Sequence, residues 1–142
     1  MNILVTSHAH LSDSLVETFR MFSSNCPCIH SVCLGDTGID AYREKLDAKI
    51  ETLLKQGNLL IMSDLLGGTP YNEAYLHAMR HPGEIRLVAG VNLPMLVEAG
   101  VFAMTTDDLD AVYEIALSSG ATGVVGADTD KDEYVLEEEE LF

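Results

Sequence analysis

Four short apolar runs, separated by longer stretches of helical periodicity, constrain the fold of this chain more than any other feature. Residues 59–62 are uninterrupted apolar residues between Asn58 and Ser63, which is typical of a strand buried on both faces of a parallel sheet. Parallel strands require crossover connections, so the alternation predicts an α/β fold: a doubly wound, mostly parallel sheet with helices on both faces, in a single domain. The predicted strands are residues 3–7, 28–34, 58–62 and 84–89.

The helical stretches carry start and stop signals that predict their bounds. Apolar residues within 11–22 recur at the spacing of one helix face. Thr69 followed by Pro70 predicts the N-cap and first residue of a helix. The predicted helices cover residues 11–22, 39–56 before Gly57, 70–80, 95–99 before Gly100, and 106–119 before Gly120, the last with Thr106 as its N-cap.

The carboxyl-terminal part of the sequence is less regular. Residues 122–126 are predicted to be either a loop or a short edge strand, and residues 134–136 a further strand. The glutamates at 137–140 form a like-charged run, which is typical of a solvated end. We therefore expect one domain over residues 1–142 with an acidic tail at about 127–142.

The charge of the chain narrows the classes of partner. Eight basic and 23 acidic residues give a net charge of −15, which disfavours binding to a nucleic acid backbone. The acidity suits a basic protein partner, or it serves solubility alone. No apolar run approaches the roughly 20 residues of a membrane helix, and no basic region precedes an apolar segment at the start. We expect a cytoplasmic protein that is not inserted in the membrane.

The three cysteines are odd in number and close together, at Cys26, Cys28 and Cys33. The spacing of the first two is neither the C-x-x-C redox motif nor a four-ligand zinc pattern. We expect reduced, partly buried thiols.

Four of the histidines have ordinary structural explanations. His10 lies where a helix begins and is expected to cap it or face solvent, and His30 lies within a predicted strand. His77 and His81 have i, i+4 spacing, but Pro82 ends the helix and no third ligand is evident, so no metal site is predicted.

The remaining histidine, His8, directly follows the first predicted strand. Asp64 follows the third strand, and first and third strands commonly flank the point where strand order reverses in a doubly wound sheet. A carboxylate beside an imidazole fixes its tautomer and leaves the other ring nitrogen free as a nucleophile. Gly67, Gly68 and Thr69 lie near a helix N-terminus, where backbone amides can bind a phosphoryl group. The pattern predicts a histidine that accepts and donates phosphate.

Three sequence blocks occur together in this chain, and the second and third are specific enough to indicate a protein family. They are ILVTSH at 3–8, SDLLGGTPYN at 63–72 and AGVNLPML at 89–96. With these blocks the chain resembles, from residue 1 to about 126, the mannose-type IIA component of the phosphoenolpyruvate-dependent sugar phosphotransferase system.

The resemblance implies a role for each site residue. His8 would accept a phosphoryl group from the phosphocarrier protein HPr and pass it to a IIB component, for sugar uptake through membrane IIC and IID components. Asp64 matches the family's active-site aspartate and Thr69 a hydroxyl residue of the same loop, whereas Leu65 stands where some members carry a hydroxyl. His10 is not the expected acceptor. The resemblance also implies a homodimer with a carboxyl-terminal strand exchanged between subunits, and no cofactor.

Three alternatives remain at this stage. One is the phosphotransferase-like subunit of dihydroxyacetone kinase, which shares the fold but is associated with a different loop at residues 67–70. Another is a regulatory domain that senses phosphorylation, although the chain has no helix-turn-helix or ATPase segment. The third, an unrelated α/β domain that binds a small molecule, leaves the Asp64 loop unexplained. The sequence does not indicate which sugar is transported.

Overall fold

The computed structural model describes residues 1–130. Within this range, four strands form one parallel sheet at the centre of the molecule. The strands lie in the order β2-β1-β3-β4, so the strand order reverses between β1 and β3, as the doubly wound prediction requires. They are β1 (Asn2–His8), β2 (Ile29–Leu34), β3 (Leu59–Ser63) and β4 (Ile85–Val88).

Within residues 1–130, five helices cover the two faces of this sheet, which confirms the predicted fold class. Successive residues of β1 point to opposite faces: Ile3 and Val5 join one apolar core, and Leu4 joins the other. The helices α1 (Leu11–Phe19), α4 (Leu93–Ala103) and α5 (Leu109–Thr122) pack on the first face, whereas α2 (Ile39–Leu54) and α3 (Thr69–Arg80) pack on the second.

Helix α1 ends three residues earlier than the apolar pattern predicts. The amides of Met21 and Phe22 donate to the carbonyls of Thr18 and Phe19, which is the tight i→i−3 turn that closes many helices. Met21 is consequently exposed, and Phe22 is partly exposed rather than part of the core.

Helices α4 and α5 both extend past their predicted ends, because two glycines lie inside them rather than after them. A Cβ at Gly100 would come within 2.6 Å of the Phe19 ring, and one at Gly120 within 2.6 Å of the Met95 methyl group. Both glycines are therefore places of close packing, and neither ends its helix.

Two helix starts also differ from the predictions by one or two residues. Gly68, not Thr69, is the N-cap of α3, and Thr69 is its first residue. Asp108, not Thr106, caps α5 by accepting a hydrogen bond from the amide of Ala111, while Thr106 accepts one from the amide of Asp108.

The residues after α5, 123–130, are in neither helix nor strand, which agrees with the loop alternative for 122–126. The predicted strand at 134–136 and most of the acidic tail lie outside the described residues. Within 1–130, no helix has both the length and the apolar character needed to cross a bilayer.

The cysteines agree with the sequence-based expectation of free, half-buried thiols. Burial, together with the hydrogen bond to Cys26, raises the pKa of Cys28 to about 12, so this thiol is protonated at neutral pH. His30 Nε2 lies 3.1 Å from Asn2 Oδ1, and burial lowers its pKa, as suits a structural histidine.

Candidate functional site

The carboxyl ends of β1 and β3 bring His8 and Asp64 together. The two strands are hydrogen-bonded neighbours, and the His8 Nδ1 atom lies 2.8 Å from Asp64 Oδ2. The predicted proximity of these residues is therefore observed, at the point where the strand order reverses.

Asp64 is held from two sides by backbone amides. Its Oδ2 also accepts a hydrogen bond from the His8 amide at 2.9 Å, and its Oδ1 accepts one from the Leu65 amide at 2.9 Å. Partial burial alone raises the pKa of Asp64, but the hydrogen bonds and charge of His8 and the Leu65 amide outweigh burial and hold it below its ordinary value. Asp64 is thus ionised at neutral pH.

The ionised carboxylate fixes the tautomer of the His8 ring. A carboxylate can only accept hydrogen bonds, so a neutral imidazole must carry its proton on Nδ1 and its lone pair on Nε2. The His8 side chain is 46% exposed, and no other group in residues 1–130 is hydrogen-bonded to Nε2. The unshared nitrogen is accessible to a reactant.

The turn between β1 and α1, which follows His8, is fixed by hydrogen bonds. Ala9 has a φ of 49°, a left-handed conformation that is uncommon outside glycine, and its amide donates to Leu34. The buried Ser7 hydroxyl oxygen accepts a hydrogen bond from the Ser12 amide at 2.7 Å, in the first turn of α1. The turn is therefore defined by side-chain and backbone hydrogen bonds on both sides of His8.

Gly68 lies directly against the His8 ring. A Cβ at this position would come within 2.8 Å of His8 Cε1 and 3.6 Å of Nε2, so only glycine allows the backbone to approach so closely. Gly67 has a φ of 79°, and its carbonyl accepts a hydrogen bond from the Asn72 side chain at 3.1 Å. Asn72 thus stabilises this loop, a role that we did not predict although Asn72 belongs to the second sequence block.

The first turn of α3 points its amides toward the same region. Thr69 is half-buried at the start of the helix, and the amides of Thr69 and Tyr71 have no carbonyl partner among the described residues. Such amides, at the positive end of a helix dipole, can bind an anion. That Gly67, Gly68 and Thr69 bind phosphate stays a prediction.

The third sequence block has a structural role. The Asn92 side chain caps α4 by accepting from the Met95 amide at 3.0 Å, and it donates to the Gly120 carbonyl at 2.9 Å. Asn92 thereby joins α4 to α5, on the face of the sheet that also carries α1.

His77 and His81 have separate partners in the structure. His77 Nε2 lies 2.6 Å from Asp47, and His81 Nδ1 lies 3.3 Å from Glu84, so each imidazole faces a different carboxylate.

Another group of potential ligands was missed by the sequence analysis. In residues 1–130 the ligand atoms of His10, Asp13 and Cys33 all lie within 4.8 Å of one another. The i, i+3 spacing of His10 and Asp13 was the available signal, but the contribution of Cys33 depends on β2 lying beside α1.

Two clefts lie away from His8 and Asp64. One, of about 480 Å³, is lined by charged residues of α2 and α3 that include Asp47 and His77. The other, of about 560 Å³, lies along Tyr71, Tyr75 and Met79 of α3. His8 lines neither of these two clefts, and its side chain is 46% exposed.

Comparison with known proteins gives consistent matches. A family model described as the PTS system fructose IIA component, EIIA-man, matches residues 2–117. The sorbose-specific EIIA component of Lacticaseibacillus casei is 33% identical over 105 residues, which are 72% of this chain and 74% of that protein. The mannose-specific EIIAB component of Escherichia coli K12 is 26% identical over 125 residues, which are 86% of this chain but 38% of that longer protein.

A solved structure agrees with these matches. The mannose/sorbose-specific IIA subunit from Enterococcus faecalis superposes with a TM-score of 0.77 at 27% identity, over 89% of this chain and 94% of that one.

Proposed function

This chain belongs to the mannose-type IIA family of the sugar phosphotransferase system, and from that premise we propose that His8 is the residue that carries the phosphoryl group. Members of the family are phosphotransferases, and the chain has the phosphocarrier role of a sugar phosphotransferase system. The observation that carries the proposal is the contact of 2.8 Å between His8 Nδ1 and Asp64, which leaves Nε2 unshared and exposed.

The proposed reaction transfers one phosphoryl group between two histidines. Nε2 of His8 attacks the phosphorus of a phosphohistidine on the donor, a new N–P bond forms, and the N–P bond to the donor breaks in line with it. The proton on Nδ1 remains in the hydrogen bond to Asp64, whose negative charge stabilises the ring as Nε2 gives up its lone pair. The protein supplies position and electrostatics, and the reaction needs no cofactor.

The amides at the start of α3 are the proposed partners of the phosphoryl oxygens. Gly68 borders the His8 ring on the side of Nε2, and the amides of Thr69 and Tyr71 follow it. Gly67 allows the turn that places them there, and the Thr69 hydroxyl is a further donor.

We propose phospho-HPr as the donor and a IIB component as the acceptor. Leu65 and Leu66, 61% and 72% exposed, lie in the Asp64 loop, and Leu11 is exposed at the start of α1. Exposed apolar side chains around a reactive group suit contact with a protein surface. The Escherichia coli relative, whose name joins IIA and IIB, supports IIB as the next carrier. The protein would act in the cytoplasm beside the membrane IIC and IID components.

We also propose that the chain forms a homodimer. In the described part of the chain β4 pairs only with β3, so the β4 edge of the sheet is open. Val124 and Val125, each 81% exposed, lie after α5 in an irregular segment. An open edge and an exposed apolar segment are the two elements that strand exchange between subunits requires.

The acceptor can be identified by incubating the protein with phosphoenolpyruvate, enzyme I and HPr, and measuring intact mass. We expect the gain of one acid-labile phosphoryl group on the wild type and on His10→Ala, and no gain on His8→Ala. His10 is the matched control because it is exposed and lies two residues away. Phosphate on His8→Ala, or none on the wild type, would overturn the proposal.

The family model and the relatives described above do not favour the dihydroxyacetone kinase subunit or the sensor domain. The names of these relatives refer to different sugars, so the sugar that this system transports stays unassigned.

A further inference from the structure

Three side chains of different chemistry converge between the start of α1 and the end of β2. His10 is the N-cap residue of α1, Asp13 lies in its first turn, and Cys33 lies on β2. An imidazole nitrogen, a carboxylate oxygen and a thiol sulfur thus come within 4.8 Å of one another. His10 and Asp13 are exposed and Cys33 is half-buried, so solvent can reach all three.

Neighbouring hydroxyl groups orient two of these three side chains. The Ser31 hydroxyl donates to Asp13 Oδ1 at 2.6 Å, and the Ser12 hydroxyl lies 3.0 Å from Cys33 Sγ. Ser12 is fully buried, so its position is fixed by the core. Metal ligands in proteins are commonly held in this way by hydrogen bonds from outside the coordination sphere.

From this arrangement we propose that His10, Asp13 and Cys33 form a Zn²⁺-binding site. Nitrogen, oxygen and sulfur donors together suit Zn²⁺, and three protein ligands plus one water complete a tetrahedral sphere. Bonds of about 2.0–2.3 Å to one shared ion require the three ligand atoms to lie slightly closer to one another than they do here. The exposed side chains reach those positions by small rotations. Mg²⁺ and Ca²⁺ prefer oxygen ligands alone and are excluded.

Binding converts the Cys33 thiol to a thiolate. The sulfur–metal bond replaces the S–H bond, and the proton passes to solvent. The site shares no ligand with the His8–Asp64 pair, so it is independent of the phosphoryl-transfer proposal.

The test is a titration of chelator-treated protein with Co²⁺, whose bond to a thiolate gives a charge-transfer absorption band. We expect one Co²⁺ per chain with this band, displacement by equimolar Zn²⁺, and no competition from excess Mg²⁺. Cys33→Ser should abolish the band, and His10→Ala should weaken binding by more than about tenfold, since a lost ligand costs at least as much as a lost partner outside the coordination sphere.

The matched control is the double variant Cys26→Ser/Cys28→Ser, which removes the other two thiols and should keep the band. His8→Ala should also keep it, whatever its effect on phosphorylation. A band that survives Cys33→Ser, or that disappears only in the double variant, would place the metal at Cys26 and Cys28 and overturn the proposal. Absence of Co²⁺ and Zn²⁺ binding to the wild type would overturn it as well.

Discussion

At the scale of single residues, Asp64 acts on His8 through both the backbone and the side chain. One carboxylate oxygen accepts from the His8 amide and faces its ring nitrogen, so strand end and imidazole are held by the same atom. The direction of the His8 ring and its tautomer are therefore set together.

Replacing Asp64 by asparagine should reverse the tautomer. The NH₂ group in the place of Oδ2 would donate to Nδ1 of His8 and move the ring proton to Nε2. The side-chain oxygen would keep the hydrogen bond from the Leu65 amide, whereas the His8 amide would lose its acceptor. We expect the initial rate of phosphorylation by phospho-HPr in Asp64→Asn to fall about 10²- to 10⁴-fold, as wrong-tautomer variants of histidine sites do.

The control for this prediction is Asp47→Asn. It alters another histidine–aspartate pair, with His77, on the helices α2 and α3. Its phosphorylation rate should equal that of the wild type. A wild-type rate in Asp64→Asn would show that the carboxylate does not set the tautomer.

Among residues 1–130, Tyr42 is the largest fully buried side chain, and its hydroxyl group makes the stability of the fold depend on pH. The Thr6 hydroxyl donates to the Val32 carbonyl, so the Tyr42 hydroxyl, 2.6 Å from Thr6, must donate to it. Burial raises the pKa of Tyr42 to about 12.

The raised pKa predicts a loss of stability at high pH. The unfolded phenol ionises near pH 10 whereas the folded phenol stays neutral until about pH 12. The stability from this group is therefore complete below about pH 10, and we expect it to fall by about 2 kcal/mol by about pH 11.5. Urea unfolding of the wild type and Tyr42→Phe over this range checks it, because only the wild type loses this contribution.

Tyr75→Phe, at an exposed tyrosine, is the control for nonspecific effects of alkaline pH. If the free energies of unfolding of wild type and Tyr42→Phe ran parallel up to that pH, the assignment to Tyr42 would be wrong.

At the scale of elements, the glycines of α4 and α5 behave as packing sites. Gly100 meets the buried, rigid ring of Phe19, and Gly120 meets the flexible end of Met95. The two positions differ in whether the neighbour can move.

Substituting each glycine by alanine should separate these cases. Alanine favours the helix by about 1 kcal/mol, but overpacking against a rigid ring costs about 1–3 kcal/mol. We expect the free energy of unfolding to fall by up to about 2 kcal/mol in Gly100→Ala and to change by less than about 1 kcal/mol in Gly120→Ala. Urea unfolding measures both, and equal destabilisation would contradict this account.

The sequence predicted the elements that can be recognised from residues adjacent in the chain. Each of the four described strands contains a short apolar run that is recognisable from the sequence, and the parallel order then brought His8 to Asp64. Gly100 and Gly120 were taken as helix ends because their partners, Phe19 and Met95, are known only once the helices are packed. The contribution of Cys33 to the His10 cluster was missed for the same reason.

At the scale of the whole molecule, the open edge at β4 and the exposed valines predict self-association. Replacing both Val124 and Val125 by aspartate should turn the proposed dimer into a monomer, because charge disfavours burial in an interface. Sedimentation velocity measures the mass directly.

Met21→Asp is the matched control, since Met21 is 84% exposed and lies after α1 rather than beside Val124. This variant should remain dimeric. A wild type that sediments as a monomer would rule out the dimer.

Asn92 joins α4 to α5, so the residues that stabilise this fold differ from the residues that are proposed to carry the reaction. The block 89–96 maintains the scaffold, whereas His8, the proposed acceptor, stands at the carboxyl end of β1 with its side chain 46% exposed. A descendant chain with another residue in place of His8 would still fold and would still share the sequence and structure of its ancestors. Loss of the reaction would then leave an intact protein surface, available for evolution to reuse as a docking partner that no longer carries phosphate.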